Sequence, residues 1–245
     1  NTGNVTVTST ATAIDGFWGG INANATAGNV TVTSSSEITA NFYAGINANA
    51  GANVVVSTSD TVSGTTGIYA QTTSGGSNTV TVAVTGGSGI TGTAGNGIDA
   101  YGLNSTGNIS VGNSTSRIAS AVTGSANGID VVGNGNISIY TGNAVTGNGG
   151  SGIAAESFNG SVRVNAAGSA GTSITGQSYG ILALSDNGGN ADISIGNLDT
   201  VTSTGTSAVF AQSNTGNVTV TSTATAIDGS WGGINAYAAA GDVTV

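Results

Sequence analysis

Histidine, cysteine, lysine, methionine and proline are all absent from this chain of 245 residues. Without histidine or cysteine there is no Ser-His-Asp triad, no thiol nucleophile and no zinc site of the usual kind. Without lysine there is no Schiff base and no phosphate-binding Walker loop. Charge of either sign is scarce, 5% of the chain, where soluble domains carry about 25%. The only basic residues, Arg117 and Arg163, face eleven carboxylates. Nothing can therefore neutralise a phosphate backbone, which argues against nucleic acid and anionic membrane surfaces as partners. No apolar run approaches the roughly 20 residues that span a bilayer as a helix, so no membrane insertion of this segment is expected. The lack of cysteine is compatible with an oxidising compartment. The lack of proline leaves every strand donor free for a hydrogen-bonded ladder.

What remains is Gly at 43 positions, with Thr, Ser, Asn, Ala, Val and Ile making up nearly all the rest. Disordered chains combine low hydrophobicity with high charge or abundant proline. Here Val and Ile instead alternate with Thr and Ser, the period of a β-strand. Three motifs recur in fixed order. The first is Gly-Asn-Val-Thr-Val or a variant, with inward pairs from Val5/Val7 and Val30/Val32 through Ile193/Ile195 to Val243/Val245. The second centres on one aliphatic residue: Ile14, Ile38, Val62, Ile90, Ile118, Val145, Ile174, Val201 and Ile227. The third, Gly-Ile-x-Ala, centres on Ile21, Ile46, Ile68, Ile98, Ile129, Ile153, Ile181, Val209 and Ile234.

Third-motif centres are 22 residues apart at the closest (Ile46 to Ile68) and 31 at the widest (Ile98 to Ile129). That spacing suits a coil of three short strands joined by corners of variable length. Stacking nine to ten coils at about 4.8 Å makes a rod about 45 Å long. The expected fold is all-β, a parallel β-solenoid whose inward Val and Ile form continuous columns. Asn4, Asn29, Asn53, Asn108, Asn136 and Asn217 precede the first inward residue and are expected to stack as an amide ladder, with Ser161, Asp192 or Asp242 in other coils. Residues 1–32 reappear as residues 214–245 with four differences, an offset of 213 (214 minus 1), or eight coils. Duplication of a whole eight-coil block gives that pattern. The segment 1–245 is therefore read as one solenoid cut from a longer array, with self-association or end-to-end continuation expected.

The stretches Gly3–Val7, Gly28–Val32, Ile90–Gly92, Ser173–Gly176, Gly97–Ala100 and Gly233–Ala236 resemble the passenger regions of bacterial autotransporters and the haemagglutinin-type secreted adhesins. The resemblance covers the whole chain and is more specific for architecture than for activity. It implies a right-handed parallel β-helix at the surface of a Gram-negative bacterium, an extracellular place and a part in cell adhesion.

No catalytic residue, metal ligand or cofactor is assigned, and the chain is read as a non-enzymatic scaffold. Phe17, Trp18, Phe42, Tyr43, Tyr179 and Trp231 stand just before the Gly-Ile-x-Ala centres. They are expected at one corner of the rod, where they could stack on a glycan, pack against a neighbouring rod, or equally cover the corner of the core, and a host or abiotic surface is a further candidate partner of the chain. Asp99 and Asp130 share the x position of Gly-Ile-x-Ala in consecutive coils, so they project outward side by side. That placement suits either a polysaccharide hydrolase's carboxylate pair or two solvated residues. Gly188-Gly189-Asn190-Ala191-Asp192 resembles one copy of a calcium-binding repeat and equally suits a Gly-rich corner. The Thr-x-Thr pairs Thr6/Thr8, Thr31/Thr33, Thr79/Thr81 and Thr219/Thr221 suggest ordered-surface or ice binding, but the series breaks at Arg163/Asn165.

Overall fold

A computed structural model describes residues 2–169 and 171–245. Among these residues there is no helix, and hence none long and apolar enough to cross a membrane. The chain winds as a β-solenoid with three strands per coil. Strands of ten, nine and nine coils stack in parallel into three sheets, called here the first, second and third in chain order.

The first sheet runs from Val5–Ser9 to Val243–Thr244, with Val5 over Val30, Val30 over Val54 and Val54 over Val80. The third stacks Ile21, Ile46, Ile68, Ile98, Ile129, Ile153, Ile181, Val209 and Ile234 in one column, as the motif predicts. Alternation fixes this register, because a slip of one residue would turn every aliphatic side chain to the outside. The columns fill the interior, and Ile46, Ile68, Ile98, Ile129 and Ile153 are fully buried. Each such side chain stabilises by about 1.5–3 kcal/mol, most of it offset by chain ordering.

Two expected placements are corrected. The second-sheet column passes from Ile90 to Val122 and on to Val145, so Val122 occupies the position expected of Ile118. Ile118 belongs instead with the first sheet, bridging Thr141 after a loop over residues 112–117 interrupts its strand. This loop accounts for the widest spacing, Ile98 to Ile129. In the eighth coil the inward pair is Ala191/Ile193, not Ile193/Ile195, because Val162 faces Ala191 and Val164 faces Ile193. A small inward alanine had concealed the true register.

The amide ladder follows that register. Asn29 and Asn53 each donate their backbone N–H to the preceding Asn Oδ1, at 2.9 and 3.0 Å, and Thr79 continues the series on Asn53 at 2.8 Å. Further on, Ser161 donates to Asn136, Asn190 to Ser161, Asn217 to Asn190 and Asp242 to Asn217. The eighth-coil rung is thus Asn190 and not Asp192. Thr79 is likewise a rung, so Thr81 rather than the pair Thr79/Thr81 belongs to the outer Thr column.

Successive coils approach closely at the turn between the second and third sheets. A Cβ on Gly128 would lie 2.5 Å from Val145 Cγ1 and 2.6 Å from the carbonyl oxygen of Gly152. Only glycine lets successive turns approach this closely. The constraint recurs at Gly97, Gly152 and Gly180, which explains the invariant first letter of Gly-Ile-x-Ala in these coils. From the same turn, Asn96 comes down beside the outer face of the third sheet.

Candidate functional site

The outer face of the third sheet carries the residues with chemical potential. Asp99 faces Asp130 across adjacent strands, and Asp99 is only 7% exposed despite pointing away from the core. The turn covers it. Asn96 and Asn127 occupy equivalent turn positions in the two coils, each followed by Gly-Ile-Asp. The Asn96 side-chain amide donates to Asp99 Oδ1 and, at 3.2 Å, to Asp130 Oδ2. Its carbonyl oxygen accepts the Asn127 backbone N–H at 2.7 Å, and Asn127 Oδ1 accepts that of Ser151 at 2.7 Å. The Tyr101 hydroxyl completes the cluster, donating to Asp130 Oδ2 at 3.0 Å and Asp99 Oδ1 at 3.5 Å.

Desolvation dominates the electrostatics here. Burial pushes the Asp99 carboxyl from 3.8 to about 6, with a further upward push from the Asp130 charge, against hydrogen bonds from Asn96 and Tyr101 that lower it. Burial also raises Asp130, while hydrogen bonds from Tyr101, Asn127 and Asn96 oppose the rise. Glu156, two coils beyond Asp99, is raised by burial and by Asp186 and Asp130. The Tyr69 and Tyr101 hydroxyls are raised by burial and the neighbouring carboxylates, so both stay protonated donors. The two carboxyls, bridged by one amide and one hydroxyl, both bind protons more readily than solvated carboxylates do. The sequence placed the two carboxylates side by side correctly. It gave no account of their burial, nor of Asn96, Asn127 and Tyr101. The signal that could have found the amides is the tetrapeptide Asn-Gly-Ile-Asp, present in these two coils alone.

The expected aromatic residues all lie on the turn between the second and third sheets, in two groups. Phe17, Trp18, Phe42 and Tyr43 pack together, with ring centroids 4.9 Å apart for Phe17 and Phe42 and 6.3 Å for Trp18 and Tyr43. They nonetheless remain open to solvent, Trp18 at 64% and Tyr43 at 62%. Tyr179 lies six coils away and packs on Phe210 at 5.5 Å, a residue the motif reading missed. Trp231 stands beside this second group and is 86% exposed. The third-sheet strands that follow Trp18 and Trp231 are the outermost described, so it is Tyr43, with a coil on either side, whose exposure core coverage does not account for.

Other sequence candidates are absorbed by the architecture. Asn190 is a ladder rung, and the Gly189 carbonyl accepts the Ser185 and Ser213 hydroxyls at 2.8 and 2.7 Å. Among the described residues no three acidic groups cluster as a metal site. The outer Thr column of the first sheet reads Thr6, Thr31, Val55, Thr81, Ser110, Ser138 and Arg163, so it offers no uniform Thr rank. No family model, curated protein or solved structure matches the chain.

Proposed function

We propose that this chain is a rigid, extended scaffold of the adhesive kind, a stalk or filament segment displayed outside a bacterial cell. The resemblance of its motifs to autotransporter passengers and haemagglutinin-type adhesins gives the cellular setting. The observation that carries the reading is the in-register parallel stacking maintained in all three sheets from the first coil to the last. Such a rod has length, stiffness and a repeated lateral surface, which together give many weak contacts the strength of one strong one. Electron microscopy of the purified chain tests the mechanical half. Straight rods or fibres with a repeat of about 4.8 Å along the axis are expected, and irregular compact particles would rule the scaffold out. Adhesion of chain-coated beads to bacterial, host-cell and abiotic surfaces tests the other half.

A second reading, hydrolysis of a polysaccharide, is favoured by one observation: an Asp99 carboxyl raised to about 6 beside the Asp130 carboxyl. Two carboxyls side by side, at least one of them with raised proton affinity, are the groups that glycoside hydrolysis uses as acid and as base or nucleophile. Release of reducing ends from polysaccharide, lost in Asp99→Asn and Asp130→Asn, would support it. Equal product from wild type and both variants would remove it.

A further inference from the structure

Four hollows lie in a line along the third sheet, between its outer face and the turns that precede it. The first, of about 380 Å³, sits against Trp18, Tyr43 and Asn47. The second, of about 410 Å³, shares Tyr43 and Asn47 with it and extends to Tyr69 and Gln71. The Tyr69 ring continues onto Tyr101, 5.7 Å away, and so to the Asp99–Asp130 pair. The third, of about 330 Å³, starts at Asp130 and reaches Glu156, Leu184 and Tyr179. The fourth, of about 300 Å³, takes over at Tyr179 and ends at Trp231. Shared walls join the first hollow to the second and the third to the fourth. Between the two pairs the Tyr69 and Tyr101 rings and the Asn96-covered Asp99–Asp130 pair fill the line, so the trough parallel to the solenoid axis is an interrupted one.

We infer that this trough is a binding site for a single uncharged polysaccharide chain, extended along the rod. The inference rests on the adhesive-scaffold reading and names what the scaffold adheres to. Its shape suits a linear polymer, because the same two columns of the third sheet recur at every coil, about 4.8 Å apart. That interval is close to the length of one sugar unit in an extended chain. Aromatic rings line the trough, and Tyr43, which has a coil on either side, is exposed; such rings cover the apolar faces of sugar rings well and keep little conformational freedom to lose. Along it lie amides and hydroxyls, Asn47, Asn49 and Gln71 among them, which can both donate to and accept from sugar hydroxyls.

Charge selects within the polysaccharides. Asp130 and Glu156 line the trough and no basic residue does, while Arg117 and Arg163 belong to the first sheet's side of the rod. Uronic-acid and sulfated chains would meet carboxylates there and no cation to pair with. A peptide strand would seek free backbone ladder groups, but every third-sheet strand between the two ends already pairs on both sides.

Affinity electrophoresis of the whole chain through gels containing soluble neutral polysaccharides (β-glucan, xylan, galactomannan) tests the inference. Gels with alginate or polygalacturonate serve as the anionic set. Retardation by at least one neutral polymer and by neither anionic one is expected, unchanged when salt is raised. Trp18→Ala, Tyr43→Ala and Trp231→Ala should each weaken retardation about tenfold. These side chains are exposed, and circular dichroism verifies that the variants fold. No retardation by any neutral polymer overturns the inference, as does retardation that the three variants leave intact. Sedimentation equilibrium covers a second copy as the occupant: a dimer that the same substitutions dissolve, without polysaccharide binding, also overturns it. Rods that stick to surfaces with all three tryptophan and tyrosine variants unimpaired would leave the scaffold standing and remove the trough.

Discussion

The first and third sheets bury nearly the same side chains and present different ones. Inside, Val and Ile of the first sheet meet Ile and Ala of the third in unbroken columns. Outside, the first sheet offers mostly Thr and Ser, small hydroxyl side chains suited to a pleated surface. The third offers Tyr69, Asp99, Asp130, Leu182 and Phe210 along one column. Both sheets have the same pleat and the same stacking, so strand geometry does not explain the contrast. The neighbouring turn does: Asn96 reaches from it onto Asp99 and Asp130, which shelters that stretch of the outer face. Sheltered positions can hold titratable groups out of water, and open ones cannot.

Four measurements would break or sharpen this contrast. The largest effect is expected inside, where the two sheets should behave alike. Ile137→Ala in the first and Ile129→Ala in the third should each cost about 2–5 kcal/mol in urea denaturation. A clear disparity between them would end the claim that the interiors are equivalent.

Next comes Asp99. Its folded carboxyl holds a proton up to about pH 6, where the unfolded one releases it near 3.8. Stability is therefore greatest below pH 3.8 with respect to this group, declines as pH rises between those values, and is fully reduced above about 6. The loss is on the order of 3 kcal/mol. Asp99→Asn keeps an acceptor for Asn96 and abolishes the ionisation, so it should stabilise the chain at pH 7 and flatten the profile between pH 4 and 7. A profile that keeps its slope in the variant would show that Asp99 is not the group responsible.

Tyr101→Phe removes the hydroxyl that donates to both carboxyls. A loss of about 1–2 kcal/mol is expected at pH 7, together with a further rise in the Asp130 carboxyl, which side-chain carbon NMR through a titration would read. The smallest effect belongs to the first sheet: Thr81→Ala should change stability by about 0.5 kcal/mol or less. Anything approaching the Tyr101→Phe value there would dissolve the distinction between the two outer faces.

The sequence exposes the parts of this molecule that repeat and hides the parts that depend on neighbours. All nine Gly-Ile-x-Ala centres stand where the motif puts them, because glycine and isoleucine are both dictated by local packing. Ile118 was misplaced because it and Val122 are both aliphatic and four residues apart. Spacing alone cannot distinguish a strand resumed after a loop from the strand that follows. The eighth coil slipped by two residues because Ala191 fills an inward place that elsewhere belongs to Val or Ile. Asp99 and Asp130 were legible as a pair, since they share a motif position. Their shelter was not, since it comes from Asn96, Asn127 and Tyr101 converging across two coils. The trough is less legible still, for its walls and floor come from different elements of nine coils.

Arg117 closes the loop over residues 112–117 by reaching across two further coils. Its guanidinium donates to the Thr141 carbonyl at 3.3 Å, to the Asn165 carbonyl at 3.0 Å and to Asn165 Oδ1 at 2.8 Å, and lies over the Tyr140 ring. In a stack where each layer touches only its neighbours, opening proceeds like the fraying of a rope, one turn at a time from either end. A rivet through three layers interrupts that progress. The fifth, sixth and seventh coils must come apart together, and the carboxylate pair, which begins one coil earlier, sits at the edge of the most persistent block of the rod.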